Sequence, residues 1–249
     1  MEKTVALVTG ASSGIGEQYC RALAARCDRI IAVARRGERL RALADDLAGQ
    51  AEVVPVVADL GTVEGVARTL EALRQRGPVR YLVNNAGFST LGPVARSDIA
   101  RELDMVRLHI DACVSLCRGA LPFMLEAGAG YIVNVASVGV FVPMRSTAVY
   151  GACKAFLASY SQSLQEEVAA AGIAVQCLCP GLTHTGIHHT EEFAGFDKSR
   201  FPEAMWMDVP AVVDASLAAL DSGRVLVVPG EHNLQLVREG LQGQLDSIQ

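Results

Sequence analysis

Concentrated positive charge is missing from this sequence: Lys and Arg occur singly or in scattered pairs, and the formal net charge is −5. That balance gives no electrostatic footprint for nucleic acid or for an anionic membrane surface, so neither is expected as a partner. Aromatic residues are scarce at 5%, against 51% hydrophobic residues overall, so a core must be built mainly from Val, Ala, Leu and Ile. This is the composition of a parallel sheet buried under helices. Zinc-type C-x-x-C pairs are absent; the seven cysteines are odd in number and lie mainly in apolar segments, which suits reduced thiols in the cytoplasm. The start of the chain has no long hydrophobic run. After Glu2 and Lys3 one short apolar stretch reaches Gly10, too brief for a signal sequence or a membrane span.

What the sequence does contain is alternation. Short β-branched runs at Thr4–Thr9, Ile30–Val33, Val53–Val57, Tyr81–Val83, Tyr131–Val135, Ala174–Cys179 and Val225–Val228 predict seven strands. Helical periodicity fills the gaps at Ile15–Arg26, Glu38–Leu47, Thr62–Gln75, Ser97–Glu126, Ala148–Ala170 and Pro210–Ser222, with a further helical tail through Leu236 and Leu241. Repeated βαβ units with right-handed crossovers predict a Rossmann-type, doubly wound α/β fold with a mostly parallel seven-stranded sheet. A length of 249 residues suits one such domain, 1–249. The stretch 182–208 lacks clear periodicity, follows the sixth strand, and is expected to form a substrate lid. Its apolar members Leu182, Ile187, Phe193, Phe196, Met205 and Trp206 serve either as pocket wall or as anchors.

The first strand runs into Thr9-Gly10-Ala11-Ser12-Ser13-Gly14-Ile15-Gly16 and then directly into a helix. Glycines at these positions let the backbone turn tightly, approach a pyrophosphate and pack helix on strand, while the helix N-terminus offers unpaired N–H groups to the anion. Ser12, Ser13 and Ile15 belong to the same cradle. The second strand ends Ala34-Arg35-Arg36, where a fold selective for NAD usually presents an acidic residue to the ribose 2′-hydroxyl. Arg35, with Arg36 beside it, suits a 2′-phosphate instead, so NADP(H) is favoured over NAD(H). Asp59, followed by Leu60, is placed after the third strand to accept from an adenine amino group.

Ser137 follows the fifth strand, and Tyr150 and Lys154 stand at i and i+4 on one helical face. A phenol beside an ammonium has its ionised form stabilised, which brings it toward the working range of an acid or base. Ser137 can bond the same substrate oxygen. This trio predicts a carbonyl reduction, or the reverse oxidation, with Tyr150 giving or taking the proton.

These motifs together resemble the short-chain dehydrogenase/reductase family over nearly the whole chain. Thr9–Gly16 looks like its cofactor motif, Asp59 like its adenine contact, Asn84-Asn85-Ala86-Gly87 like its sheet-stabilising N-N-A-G, Ser137, Tyr150 and Lys154 like its catalytic trio, and Pro180-Gly181 with Thr185 like its nicotinamide-side motif. The resemblance implies that Lys154 also holds the nicotinamide ribose, that Asn85, Ala86 and Gly87 line the cofactor cleft, and that Thr183 and Thr185 join Pro180 and Gly181 around the nicotinamide. Phe88, Val138, Met144, Leu182 and Trp206 are the candidate substrate contacts.

The sequence departs from the family in two places. His109 stands where the family usually has an asparagine that completes the catalytic group and its water-borne proton relay; the histidine either carries protons itself or is a packed interface residue. The C-terminus lacks the glycine-ending tail of tetrameric members and looks more like the branch of small oxidoreductases with loosely defined substrates. A homodimer or homotetramer is expected, joined through the long helices near Leu103–Leu125 and Phe156–Leu164. His184 and His188, four apart, have no evident third ligand beyond nearby His189, Glu191 and Asp197, and no metal is expected. Epimerisation or dehydration on the same fold, and a redox-silent NADP(H)-binding regulator, are the alternatives.

Overall fold

The computed structural model describes residues 3–186 and 197–248. Seven parallel strands form one sheet in the order β3-β2-β1-β4-β5-β6-β7. In sequence they are β1 (Val5–Thr9), β2 (Arg29–Ala34), β3 (Glu52–Val57), β4 (Tyr81–Asn84), β5 (Gly130–Val135), β6 (Ile173–Leu178) and β7 (Leu226–Val227). The strand order reverses between β1 and β4, which opens a crevice at their carboxyl ends. Every residue of β1 is buried, as a parallel strand covered on both faces requires.

Helices α1 (Gly14–Leu23), α2 (Gly37–Asp46) and α7 (Val209–Ala219) cover one face, where Tyr19, Leu23, Leu40 and Val213 meet Ala6, Val8 and Ile30. On the other face lie α3 (Val63–Arg76), α5 (Ala112–Ala127), α6 (Ala148–Val168) and α8 (Glu231–Asp246), with Leu73, Leu116, Leu157 and Val237 packed among Leu7, Leu82 and Ile132. Each fully buried aliphatic side chain contributes roughly 1.5–3 kcal/mol. The seven cysteines are buried and free, consistent with their use as small core residues.

The long helix expected over Ser97–Glu126 departs from a regular helix. It begins at α4 (Ile99–Val106), where the Asp98 side chain accepts the Ala100 N–H at 2.9 Å and fixes the start. It then widens into a π turn at Arg107–Asp111 before α5. No proline or glycine marks that widening; the turn is where His109 leaves the helix to meet the strand ends. Gly128, at φ +60°, closes α5. From Ile99 to Ala127 this helix is long and apolar enough to cross a membrane by length and composition, but its buried residues Cys113, Leu116 and Ala120 belong to the sheet-facing core.

The lid stretch is described at its two legs. Met207 N–H donates to the Leu182 carbonyl at 2.9 Å and His184 N–H to the Met207 carbonyl at 3.0 Å, clipping the legs together. Ile187, His188, His189, Glu191, Phe193 and Phe196 lie outside the described residues.

Candidate active site

The crevice is floored by the turn after β1. Gly10 and Gly14 hold φ of +67° and +57°, which L side chains rarely adopt. A Cβ on Gly16 would sit 2.4 Å from the Gly10 carbonyl oxygen, so α1 rests directly on the turn. The Asn85 amide fills the remaining hollow: its Nδ2 donates to the Thr9 carbonyl at 2.9 Å and would lie 2.5 Å from a Cβ on either Gly10 or Gly16. Thr9 returns the tie, its hydroxyl oxygen accepting the N–H groups of Asn85 and Ala86 at 2.9 and 3.0 Å. β4 is thereby locked to β1 where the sheet order reverses. Ser13 caps α1 without a side-chain bond, leaving the first-turn N–H groups facing the crevice.

Arg36 reaches back over this turn, donating to Ser12 Oγ at 2.9 Å and Ser13 Oγ at 2.7 Å. Of the two candidate arginines, both exposed, Arg36 lies against the cradle, and Arg35 stands beside it. Asp59 is also exposed, and its Oδ1 accepts the Gly61 N–H at 3.0 Å, closing a turn that leads into the Thr62 cap of α3. Leu60 is buried in the core, lining a small cavity shared with His109 and Lys154. The glycine turn and the open helix end fit the pyrophosphate of a dinucleotide.

Opposite stand Ser137, Tyr150 and Lys154. Ser137 begins a single 3₁₀ turn, Val138–Val140, and its Oγ accepts the Gly139 N–H at 3.1 Å, which leaves its hydroxyl proton free to donate. Burial lifts the Tyr150 phenol above its ordinary value of 10, while the Ser137 hydroxyl pulls it the other way. Lys154 is buried, and loss of hydration lowers it from 10.5 to about 8. Its Nζ donates to the Val135 carbonyl at 2.8 Å and lies 5.5 Å from the centre of the Tyr150 ring. The ammonium therefore flanks the phenol, held by the strand end.

The sequence model of the short chain dehydrogenase family matches residues 4–194, most of the chain, from β1 through β6, with α7, β7 and α8 beyond it. The chain belongs to the short-chain dehydrogenase/reductase family. An uncharacterized oxidoreductase of Staphylococcus epidermidis is 33% identical over 194 residues, covering 78% of this chain and 84% of that protein. Among solved structures, a short-chain dehydrogenase from Sphingobium yanoikuyae in complex with NADPH superposes with a TM-score of 0.85 at 33% identity, covering 99% of this chain and 96% of that one. A bulky-bulky ketone specific alcohol dehydrogenase from Comamonas testosteroni gives 0.80 at 30% identity, with 99% and 95% covered. The seven-stranded doubly wound sheet is the fold of these dehydrogenases.

Within this short-chain dehydrogenase, His109 is brought to the trio but not as a free base. Its ring lies edge-on to Tyr150, centroids 5.9 Å apart, and its Nε2 accepts the Phe88 N–H at 3.1 Å. Burial, and then the Lys154 charge, hold it well below its ordinary 6.5, so it is neutral and its proton sits on Nδ1. A Cβ on Gly87 would come 2.6 Å from that Nε2, which accounts for the glycine before Phe88.

The remaining predicted residues divide. Pro180 is buried at the end of β6, and its carbonyl accepts the Val138 N–H at 2.9 Å. Thr185 lies over the cofactor cradle, 3.3 Å from where a Cβ on Gly14 would be. Thr183 turns its hydroxyl to the Gly181 carbonyl at 3.0 Å. Phe88 and Leu182 are half-buried, Val138 is buried and Met144 is exposed. Trp206 is 8% exposed and stacks on His184 at 5.2 Å, which joins the two described ends of the stretch 182–208. His184 meets Glu203 at 3.0 Å, and no metal-binding cluster of three is found among the described residues. Sequence reasoning passed over the bracing role of Thr9, although it opens the glycine motif. It also passed over Asn233 and Gln244 in α8, for which no motif gives a signal.

Proposed function

We propose that this oxidoreductase transfers hydride between NADP(H) and a carbonyl carbon, reducing a ketone or aldehyde to an alcohol or running the reverse. The observation that carries the reading is Tyr150: a half-buried phenol, protonated in the neutral range, between the donor hydroxyl of Ser137 and the ammonium of Lys154. Bound NADPH supplies the hydride. Ser137 holds the carbonyl oxygen and Tyr150 gives it a proton as negative charge develops there. Lys154, still largely charged at pH 7, stabilises the phenolate left behind and uses its remaining N–H groups on the nicotinamide ribose. In oxidation the same phenolate takes the alcohol proton.

NADP(H) is preferred because Arg36 offers a fork of donors at the ribose end of the cradle; the NADPH complex of the Sphingobium relative supports this choice. The substrate is a partly apolar carbonyl compound lodged against Phe88, Val138, Met144 and Leu182. The ketone specificity named for the Comamonas relative supports that class. The chain acts as one catalytic domain in the cytoplasm, and exposed Val94, Ile99 and Leu103 support self-association through the α4 side.

The test is oxidation of NADPH and NADH by the wild type and Tyr150→Phe across ketones, aldehydes, quinones and 3-oxoacyl thioesters. Turnover by the wild type alone, with NADPH binding kept in the variant, is the expected result. Equal turnover by the variant sinks the assignment of Tyr150.

A further inference from the structure

Helix α8 lies beyond the residues matched by the family model, yet it touches both loops that frame the reacting centre. Its inner stripe is Asn233, Val237, Gly240 and Gln244, spaced i, i+4, i+7 and i+11, which is one face of a helix. At the first position the Asn233 amide stands where a side chain on Gly181 would be, 2.1 Å from Oδ1 to the Cβ site. Asn233 Nδ2 donates to the Pro229 carbonyl at 2.7 Å and touches Met207 Sδ, on the lid leg, at 3.4 Å. Val237 is buried in the sheet core with Phe141.

The other end of the stripe meets the serine loop. A Cβ on Gly240 would lie 2.5 Å from the Phe141 carbonyl oxygen, so the helix backbone rests on that carbonyl. Gln244 Nε2 donates to the same oxygen at 2.8 Å. Phe141 in turn closes the turn that Ser137 begins, its N–H donating to the Val138 carbonyl at 3.0 Å. The two loops share one direct backbone bond, Val138 N–H to the Pro180 carbonyl at 2.9 Å.

We propose that α8 is a strap that fixes the spacing between the Ser137 loop and the Pro180–Gly181 turn, with Gln244 and Asn233 as positioning residues for the reaction. This deepens the reductase reading above and rests on it. Gln244 acts on Ser137 through Phe141, and Asn233 acts on the cofactor side through Gly181. A small displacement of a hydroxyl that must meet the carbonyl oxygen costs rate rather than binding.

Gln244→Met keeps length and removes the donor, whereas Gln244→Lys keeps a donor for the same carbonyl. The Met variant is expected to lose kcat about three- to tenfold with the KM for NADPH unchanged, and to lower the Tm by no more than the few degrees that one lost hydrogen bond implies. The Lys variant restores kcat. Amide hydrogen exchange over Val138–Val142 speeds up in Gln244→Met and not in Gln244→Lys, a readout that needs no turnover. That exchange response in a protein inactive on every carbonyl tested supports the strap while removing the reductase reading. Unchanged exchange overturns the strap, and so does a fall in kcat matched by equal losses in Tm for both variants.

Discussion

The turn after β1 and the loop after β5 lie one strand apart at the same end of the sheet, and they are built in opposite ways. The cofactor side is made of backbone: Gly10 and Gly16 are defined by side chains they lack, and Asn85 and Thr9 fill the space with hydrogen bonds. The side proposed to be catalytic is made of side chains pushed off their ordinary titration. Tyr150 is held up, Lys154 is held down to about 8, and His109 is held neutral. The difference is one of cost. A backbone cradle is stable in its working form, while the catalytic groups are kept in place against their preference for water.

The largest test of that contrast is Tyr150→Phe, which should lower carbonyl reduction by about 10²–10⁴-fold, the usual share of a general acid, with the NADPH Kd unchanged. A parallel loss of cofactor affinity would merge the two sides. Next is Lys154→Met. Turnover should vanish while stability at pH 7 increases, because the wild type buries a charged ammonium there.

The sign follows from the lowered value. Between about 8 and 10.5 the folded lysine has lost its proton while the unfolded one keeps it, so the wild type gains stability as pH rises through that window. The shift corresponds to about 3 kcal/mol, less about 1 for the lost bond to Val135. The variant should therefore melt a few degrees higher at pH 7, with the advantage closing by pH 10.5. A lower Tm at pH 7 would refute it. The same group sets a pH limb: kcat/KM for reduction should fall as pH rises through about 8, when the charge beside the phenol is lost. A profile flat to pH 9.5 would exclude Lys154 from the rate.

On the cofactor side, Arg36→Ala should raise the KM for NADPH about tenfold and leave that for NADH within about twofold, the share of one charge-assisted pair. The same pattern from Arg35→Ala alone would hand the contact to Arg35. The smallest effect is expected from His109→Asn. An asparagine oxygen can accept the Phe88 N–H, so kcat should stay within about tenfold and the profile from pH 5.5 to 7.5 should overlay that of the wild type. A missing acidic limb would make His109 a proton carrier.

How much of this was legible in the sequence follows the same contrast. The glycine turn is contiguous, so its spacing in Thr9–Gly16 stated its geometry, and the i, i+4 pair Tyr150 and Lys154 needed only a helix. The central strands were readable from β-branched runs because a parallel sheet buries them whole, and the edge strand β3, with only Val56 buried, was readable from its Val-rich run alone. The sequence names both Arg35 and Arg36 but not which of them lies on Ser12 and Ser13, since that one-residue choice after β2 depends on how the chain turns. The π turn at His109 has no breaker residue to announce it. Asn233 and Gln244 were invisible because their meaning comes from where α8 docks, and a polar residue on a C-terminal helix reads as solvated until its face is known.

Arg36 has a consequence for ligand selection. The guanidinium is already bonded to Ser12 and Ser13 in the protein as it stands. On the proposed reading, an incoming phosphate competes with the serine hydroxyls for Nε and Nη2, while Nη1 makes no hydrogen bond to the described residues and is open to it. On that reading the two serines, which also belong to the cradle, tune discrimination at this end together with the arginine.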